Sequence, residues 1–464
     1  MTMMTELLLG IDLGTSYFKV GLFDNTGKLR GLGRVAVEAE YPRPGWCELP
    51  VTRFHDLLRG ALGRALKEAE ASPRQIRGVS YSSQANSFLL LDCHGAPLTP
   101  FILWPDTRAA IIDPQIHDLL ARHDFLEHAG FKMETPELAI AKLRWLQCHR
   151  SDIWSKMDSV MSISDYLAWL LTGERVGDQS TASLLGIWQP EKAAWWREGL
   201  DAAGIDSSRL SALLPPGMAA GHTGAAAGEL FGLSLRTPVA AGALDHVAAA
   251  YGAGIGALSP CCDSTGTVLA VVCLADSYDP SPDYCVGPAP GERYYKLAFH
   301  SNGARLLEWH QKRRVPERGV GELIAESFMA GIAPPLPFVD LIEDDKRSIG
   351  FRDVLPHHSI AHHTRALVEL LTSNLAELVA RVAPGRNFPC ILATGGGAHN
   401  PDWLQLKADI LGTPFVTVTN PEPACFGAAL FASTAAGWHK TVTEASRAMV
   451  KTAAHYYPKG PRTT

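Results

Sequence analysis

The chain opens on three apolar runs cut by polar turns: residues 7–12, 18–24 and a third around 32–37. Gly14-Thr15-Ser16 divides the first two, and Asn25-Thr26-Gly27-Lys28 the second pair, which is the punctuation of consecutive hairpins. Over 52–71 the spacing changes to that of a helix, with Phe54, Leu57, Leu58, Ala61, Leu62, Ala65, Leu66 and Ala69 on one face. Strands are predicted at 76–82 and 87–91, and the stretch 115–212 reads as mostly helical, its tryptophans serving as core anchors. Pro215-Pro216-Gly217, Gly221 and Gly224 break that pattern before a short strand at 237–241 and a helix opening at Asp245. A further hairpin is predicted at 261–274. Residues 275–292 and 331–350, rich in Pro, Asp and Gly, read as surface connections. The end alternates: helix 361–383, strand 390–394, helix 401–411, strand 414–418, helix 424–436. Such alternation predicts an α/β protein.

Length and composition narrow the class. A chain of 464 residues exceeds one core, and the breaks predict domains 1–243 and 244–464. Apolar residues make up 46% and charged ones 19%, enough to bury sizeable cores and too apolar for a disordered chain. A net charge of −6 offers no attraction to a phosphate backbone, so nucleic acid is an unsuitable partner. No window reaches the 18 uncharged apolar residues of a membrane span. The nine cysteines are odd in number and contain no Cys-x-x-Cys pair, which argues against disulfides and a zinc ribbon and for a reducing cytoplasm.

Candidate chemistry lies in the turns. Gly10-Ile11-Asp12-Leu13-Gly14-Thr15-Ser16 can present successive backbone N–H groups to an anion, with Asp12 at the strand end able to hold the waters of a Mg²⁺. An ordinary hairpin with an acid at its turn explains the same residues. Gly395-Gly396-Gly397 after an apolar strand lets the backbone approach a flat ligand closely; Asn400-Pro401 also reads simply as a helix cap. There is no Gly-x-x-x-x-Gly-Lys-Ser/Thr, and Gly252-Ala253-Gly254-Ile255-Gly256 follows a helix and reads as its stop. The pairs His357-His358 and His362-His363 lack an acid to complete a metal shell. Asp12-Leu13-Gly14-Thr15 and Ser264-Thr265-Gly266-Thr267 form a faint internal echo, a Gly-Thr turn between apolar strands in each half.

Six segments in one order carry a family resemblance: Gly10 to Thr15, Leu103-Trp104-Pro105-Asp106-Thr107-Arg108, Gly242-Ala243-Leu244-Asp245-His246, Thr265-Gly266-Thr267, Thr394 to Asn400, and Glu422-Pro423-Ala424-Cys425-Phe426-Gly427-Ala428-Ala429. Together they resemble the FGGY carbohydrate kinases of the actin-like ATPase superfamily. The resemblance implies two ribonuclease H-like domains with a cleft between them, and ATP-dependent phosphorylation of a hydroxyl on a small sugar or polyol. It implies Asp245 as general base, Asp12 as the Mg²⁺-linked acid, and Gly14, Thr15 and Lys19 in or beside the first phosphate hairpin. Thr265, Gly266 and Thr267 match the second phosphate turn, and Gly396, Gly397 and Asn400 the adenine side. A homodimer would suit the family.

On the substrate side the sequence departs from the family. Where xylulokinases resemble Gln-Met-His-Gly and glycerol kinases Asn-Gln-Arg-Glu, this chain has Gln84-Ala85-Asn86, and His246 follows the presumed base. Gln84, Asn86, Trp104, Asp106 and His246 are the expected substrate contacts, amides, imidazole and carboxylate being suited to a ligand with several hydroxyls. A ketose, with a pentulose such as xylulose first, is the expected acceptor. A polyol kinase, a non-catalytic nucleotide sensor and a simple ATPase are the rival readings.

Overall fold

The computed structural model describes residues 5–266, 268–300, 303–329, 338–341, 349–352 and 354–459. They form two compact units: unit 1 comprises Met1–Ala257, Leu274–Lys296 and Asn420–Val450, and unit 2 Leu258–Cys273, Leu297–Thr419 and Lys451–Thr464. The expected division at 243/244 lies near the end of the first continuous segment; two later segments join unit 1.

Unit 1 begins with β1 (Leu7–Leu13), β2 (Tyr17–Phe23), β3 (Leu29–Ala36), α1 (Val51–Glu68) and β4 (Ile76–Ser83). After α2 (Ala139–His149) come β5 (Ala219–His222), β6 (Pro238–Ala240), β7 (Ala243–Leu244) and α3 (Asp245–Gly252). The sheet order is β5-β6-β4-β1-β2-β3, with β7 also beside β4. Every residue of β1 is buried, as expected of a central strand covered on both faces. α1 turns Phe54, Leu57, Leu58, Ala61, Leu62 and Ala65 inward against β2 and β3, as its spacing predicts.

Unit 2 repeats that wiring. β8 (Cys261–Thr265) and β9 (Leu269–Ala275) form an antiparallel hairpin. Beyond α4 (Ile360–Val382), β10 (Ile391–Thr394) runs parallel to β8, and α5 (Pro401–Leu411) leads to β11 (Phe415–Val418), parallel to β10. The chain then returns to unit 1 as α6 (Pro423–Ala435), against β1 and β4. Finally β12 (Thr452–Tyr456) pairs antiparallel with β11 in unit 2. A hairpin whose first strand has a parallel neighbour thus occurs in both units, giving the echo in the sequence a structural basis. Glycine is required where α6 meets β1: a Cβ on Gly10 would collide with the Cys425 carbonyl.

Two expectations are corrected. The stretch 115–212 mixes short helices with strands, among them Ser159–Ser162, which pairs antiparallel with Phe88–Leu91. Glycines in the left-handed conformation at 130, 173 and 204 end the helices early. Residues 275–292 include a fully buried strand, Cys285–Ala289, because Cys285, Val286 and Ala289 supply an apolar core that the surrounding Pro and Asp obscure. Trp188 and Trp196 are core residues, whereas Trp145, Trp154, Trp169 and Trp195 are half-buried. All nine cysteines are free, and no helix among the described residues is long and apolar enough to cross a membrane.

Candidate active site

In unit 1 the strand register gathers the acids. Asp12 of β1 pairs with Ser82 of β4, and Ser82 pairs with Ala243 of β7, so Asp12 and Asp245 emerge at the same carboxyl ends of neighbouring parallel strands. That sheet edge is where α/β folds bind ligands. Asp12 is 6% exposed, and its Oδ1 accepts the Ser82 hydroxyl at 2.9 Å. Burial pushes its carboxyl up to about 6; the Lys19 ammonium opposes this, while the charges of Asp245 and Glu422 add to the rise. Lys19 Nζ lies 3.9 Å from Asp12 Oδ2 and donates to Glu422 Oε2 at 2.7 Å. Burial works to lower the Lys19 ammonium, but Asp12 and Glu422 outweigh it and the net direction is upward.

Asp245 is half-buried at the first residue of α3, Leu244 being the cap. The following His246 N–H donates to its Oδ1 at 2.7 Å. Behind it, the Ser180 hydroxyl accepts the Leu244 N–H at 2.8 Å and donates to the buried Asp178 at 2.8 Å, which holds the residue before Asp245 in place. His246 is also half-buried. Among the described residues, no three His, Cys, Asp or Glu side chains gather to hold a metal directly. Asp12 and Asp245 suit a hydrated cation instead, whose charge would favour the ionised form of the Asp12 carboxyl.

The residues expected at the phosphate hairpin and on the substrate side divide in two. Thr15 is exposed on the β1–β2 turn, and its hydroxyl accepts the Trp104 indole N–H at 2.7 Å. Gly14 leaves room for the Tyr17 carbonyl, which a Cβ would meet at 2.9 Å. Gln84, by contrast, is buried and its amide is engaged internally: Nε2 donates to the Leu13 carbonyl at 3.3 Å, and Oε1 accepts the Ser87 hydroxyl at 3.0 Å. Asp106 has no exposed surface. Its carboxylate accepts the Cys47 N–H at 2.6 Å and the Arg108 guanidinium at 2.8 and 2.9 Å, so it anchors the loop rather than facing a ligand. Asn86 Oδ1 accepts the Ala139 N–H at the start of α2, at 2.8 Å.

Unit 2 brings the expected nucleotide residues together at the β8–β9 turn and the end of β10. Gly395 has φ of 78°, and a Cβ there would stand 2.5 Å from the Thr265 carbonyl, so glycine is demanded twice. Gly397 is buried on Thr265, and Gly396 is exposed. The Thr265 hydroxyl is internal, donating to Asp263 at 2.7 Å and accepting from Lys407 Nζ at 2.7 Å. Gly266 remains partly exposed. Asn400 caps α5 by accepting the Trp403 N–H at 2.9 Å, with Pro401 in the first turn. Thr267 lies outside the described residues.

Comparison with known proteins decides the family. Residues 7–252 match the model of the N-terminal domain of the FGGY family of carbohydrate kinases, and 338–436 that of the C-terminal domain. The chain belongs to this family. As an FGGY protein it is a carbohydrate kinase, an ATP-dependent phosphotransferase with the two-domain actin-like fold. It is 28% identical over 463 residues to the xylulose kinase of Staphylococcus epidermidis, covering 97% of this chain and 92% of that one. It is 26% identical over 472 residues to the L-xylulose/3-keto-L-gulonate kinase of Escherichia coli, covering 96% and 91%. The crystal structure described as a xyloylose kinase from Brucella ovis superposes with a TM-score of 0.86 at 26% identity, covering 98% of this chain and 95% of that one.

Several residues of this FGGY kinase escaped the sequence reading. Glu422 stands inside a quoted motif, yet nothing in one sequence pairs it with a lysine 403 positions away. Lys407 and Lys142 did leave a signal. Each falls on a helix face whose other members (Trp403, Leu404 and Ala408; Ala139, Ile140 and Leu143) are buried, and a lysine there needs an internal partner.

Proposed function

We propose that this kinase transfers the γ-phosphoryl group of ATP to a terminal hydroxyl of a ketose, a pentulose of the xylulose type first, with Asp245 as general base. The carrying observation is the common strand edge of Asp12 and Asp245, the Asp245 charge adding to the rise of the Asp12 carboxyl. The names of the relatives support the choice of acceptor: xylulose kinase and L-xylulose/3-keto-L-gulonate kinase.

In the proposed reaction the sugar oxygen attacks the γ-phosphorus and the bond to ADP breaks. The hydroxyl proton passes to the Asp245 carboxylate. His246 N–H, bonded to Oδ1, orients that carboxylate. The N–H groups of the Gly14-Thr15 turn and the Lys19 ammonium bind phosphate oxygens, while Glu422 anchors Lys19. Gly266 offers a second phosphate turn, and Gly396, Gly397 and Asn400 receive the adenine side. Asp12 would hold hydrated Mg²⁺, which when bound supplies charge neutralisation to the phosphates.

The test is ADP release from Mg-ATP against pentuloses, hexuloses, tetritols, glycerol, inositols and aldonates. One ketose should raise turnover well above background. Asp245→Asn should lower kcat about 10²–10⁴-fold, the range for loss of a general base, while leaving ATP binding near that of the parent. Turnover with tetritols alone would replace the ketose reading by a polyol kinase. ATP binding without any sugar-dependent ADP release would replace it by a sensor.

A further inference from the structure

Lys142 has no part in the chemistry just described, yet it is a wholly buried charge in unit 1. It lies on α2 with no exposed surface, among Ala139, Ile140, Ala141 and Leu143. Its ammonium donates to three backbone carbonyls: Asn86 at 2.8 Å, Leu103 at 3.0 Å and Trp104 at 3.4 Å. Those carbonyls belong to the two segments that carry the expected sugar-side residues, 84–86 and 103–108, which are distant in sequence.

Other features of the same segments point the same way. Asn86 has φ of 60°, a left-handed conformation that asparagine tolerates better than other non-glycine residues. Here its carbonyl is held by Lys142 while its side chain accepts the Ala139 N–H of α2. Trp104, whose carbonyl is the third acceptor, spends its indole N–H on Thr15 of the phosphate hairpin. One ammonium therefore ties the start of α2, the Gln84–Asn86 strip and the Trp104 loop into one unit. An aliphatic residue of equal volume would fill the space but leave three buried carbonyls without that donor.

We infer that Lys142 is a positioning residue whose ammonium holds the two sugar-side segments in register and so sets the affinity for the sugar rather than the rate of phosphoryl transfer. This rests on the kinase reading above. The groups facing the ammonium are Asp106, Glu137 and Cys47, which favour its charge, and Arg108, which opposes it. The Phe88 ring stands 5.8 Å away. Burial dominates and pushes the ammonium down to about 7, so above about pH 7 the staple loses its charge and one of its three N–H donors.

The experiment compares the parent kinase with Lys142→Met and Lys142→Arg, measuring KM for sugar, KM for ATP and kcat from pH 6 to pH 9. In the parent the KM for sugar should rise with pH above about 7 while the KM for ATP stays level. In Lys142→Met the KM for sugar should be ~10- to 100-fold higher, the scale on which misplaced binding groups act, with kcat and ATP affinity little changed and the pH dependence gone. Lys142→Arg, permanently charged, should recover part of the affinity and show no rise above about pH 7. A sugar KM within twofold of the parent in folded Lys142→Met overturns the inference, as does an equal loss for sugar and ATP. If neither variant folds, amide exchange in the parent decides. Protection over 103–108 should fall, relative to intrinsic rates, as pH passes about 7, and unchanged protection overturns the inference. A parent that phosphorylates no sugar defeats the kinase reading alone, since the exchange measurement still judges Lys142.

Discussion

Both units secure a glycine- or tryptophan-bearing turn with a buried lysine, and they do so by different electrostatics. In unit 2, Lys407 donates to Asp263 at 2.6 Å and to Thr265, and both charged side chains are sealed from solvent. In unit 1, Lys142 donates only to carbonyls, while Asp106 and Glu137 favour its charge from beyond hydrogen-bond contact. A carboxylate partner neutralises an ammonium; carbonyls solvate it less completely, leaving its proton the easier to lose. The ion pair therefore braces the Gly266 turn with its own counter-charge, whereas the carbonyl staple has only dipoles in contact with its ammonium.

The largest expected break in that contrast is Lys407→Met. It leaves Asp263 as a buried carboxylate without its cation and should cost about 3–5 kcal/mol of unfolding free energy in urea titration. Asp263→Leu added to it should recover most of the loss, because the double variant leaves no unpaired buried charge. No recovery would show that packing, not charge, made the brace.

Asp12→Asn should act oppositely, stabilising the ligand-free kinase while abolishing its activity. The folded carboxyl keeps its proton up to about pH 6, whereas the unfolded chain releases it near 3.8. The parent accordingly loses stability as pH rises from 3.8 to about 6 and remains at the lower level above that. At pH 8 the variant should exceed the parent by about 3 kcal/mol, and the gap should close toward pH 4, as urea titration at both values would reveal. An equal gap at the two pH values would exclude titration of Asp12 as its cause.

Trp104→Phe is the mildest. Removing the indole N–H from the Thr15 hydroxyl should cost about 0.5–1.5 kcal/mol, because Thr15 is exposed and water can replace the donor. Its informative readout is the KM for ATP. A rise would mean that the sugar-side loop steadies the phosphate hairpin.

Periodicity and turn residues made much of this molecule legible: the β1–β2–β3 hairpins, α1, the alternating end of the chain, and the acids and glycines of the turns. Asn400 followed by Pro401 was readable as a cap and is one. The stretch 115–212 was not readable, since its strands have only two to four residues and one of them, Ser159–Ser162, pairs with Phe88–Leu91 far back in the chain. Which residues gather at the strand ends was legible; which of them are spent on internal hydrogen bonds was not. Asp106 looks like a ligand contact in sequence because a carboxylate in a loop is usually exposed; only the folded loop closes Cys47 and Arg108 around it.

What the sequence determined by itself are the local quantities: which segments are strands or helices, where glycine lets backbone approach backbone, and which family motifs recur in order. Whether Asp12 keeps a proton, whether Lys19 meets Glu422, and whether a lysine on an apolar helix face finds a carboxylate or three carbonyls were decided by tertiary structure alone. Burial and charge pairing depend on groups brought together from up to 403 positions apart, and no spacing along one chain encodes that distance.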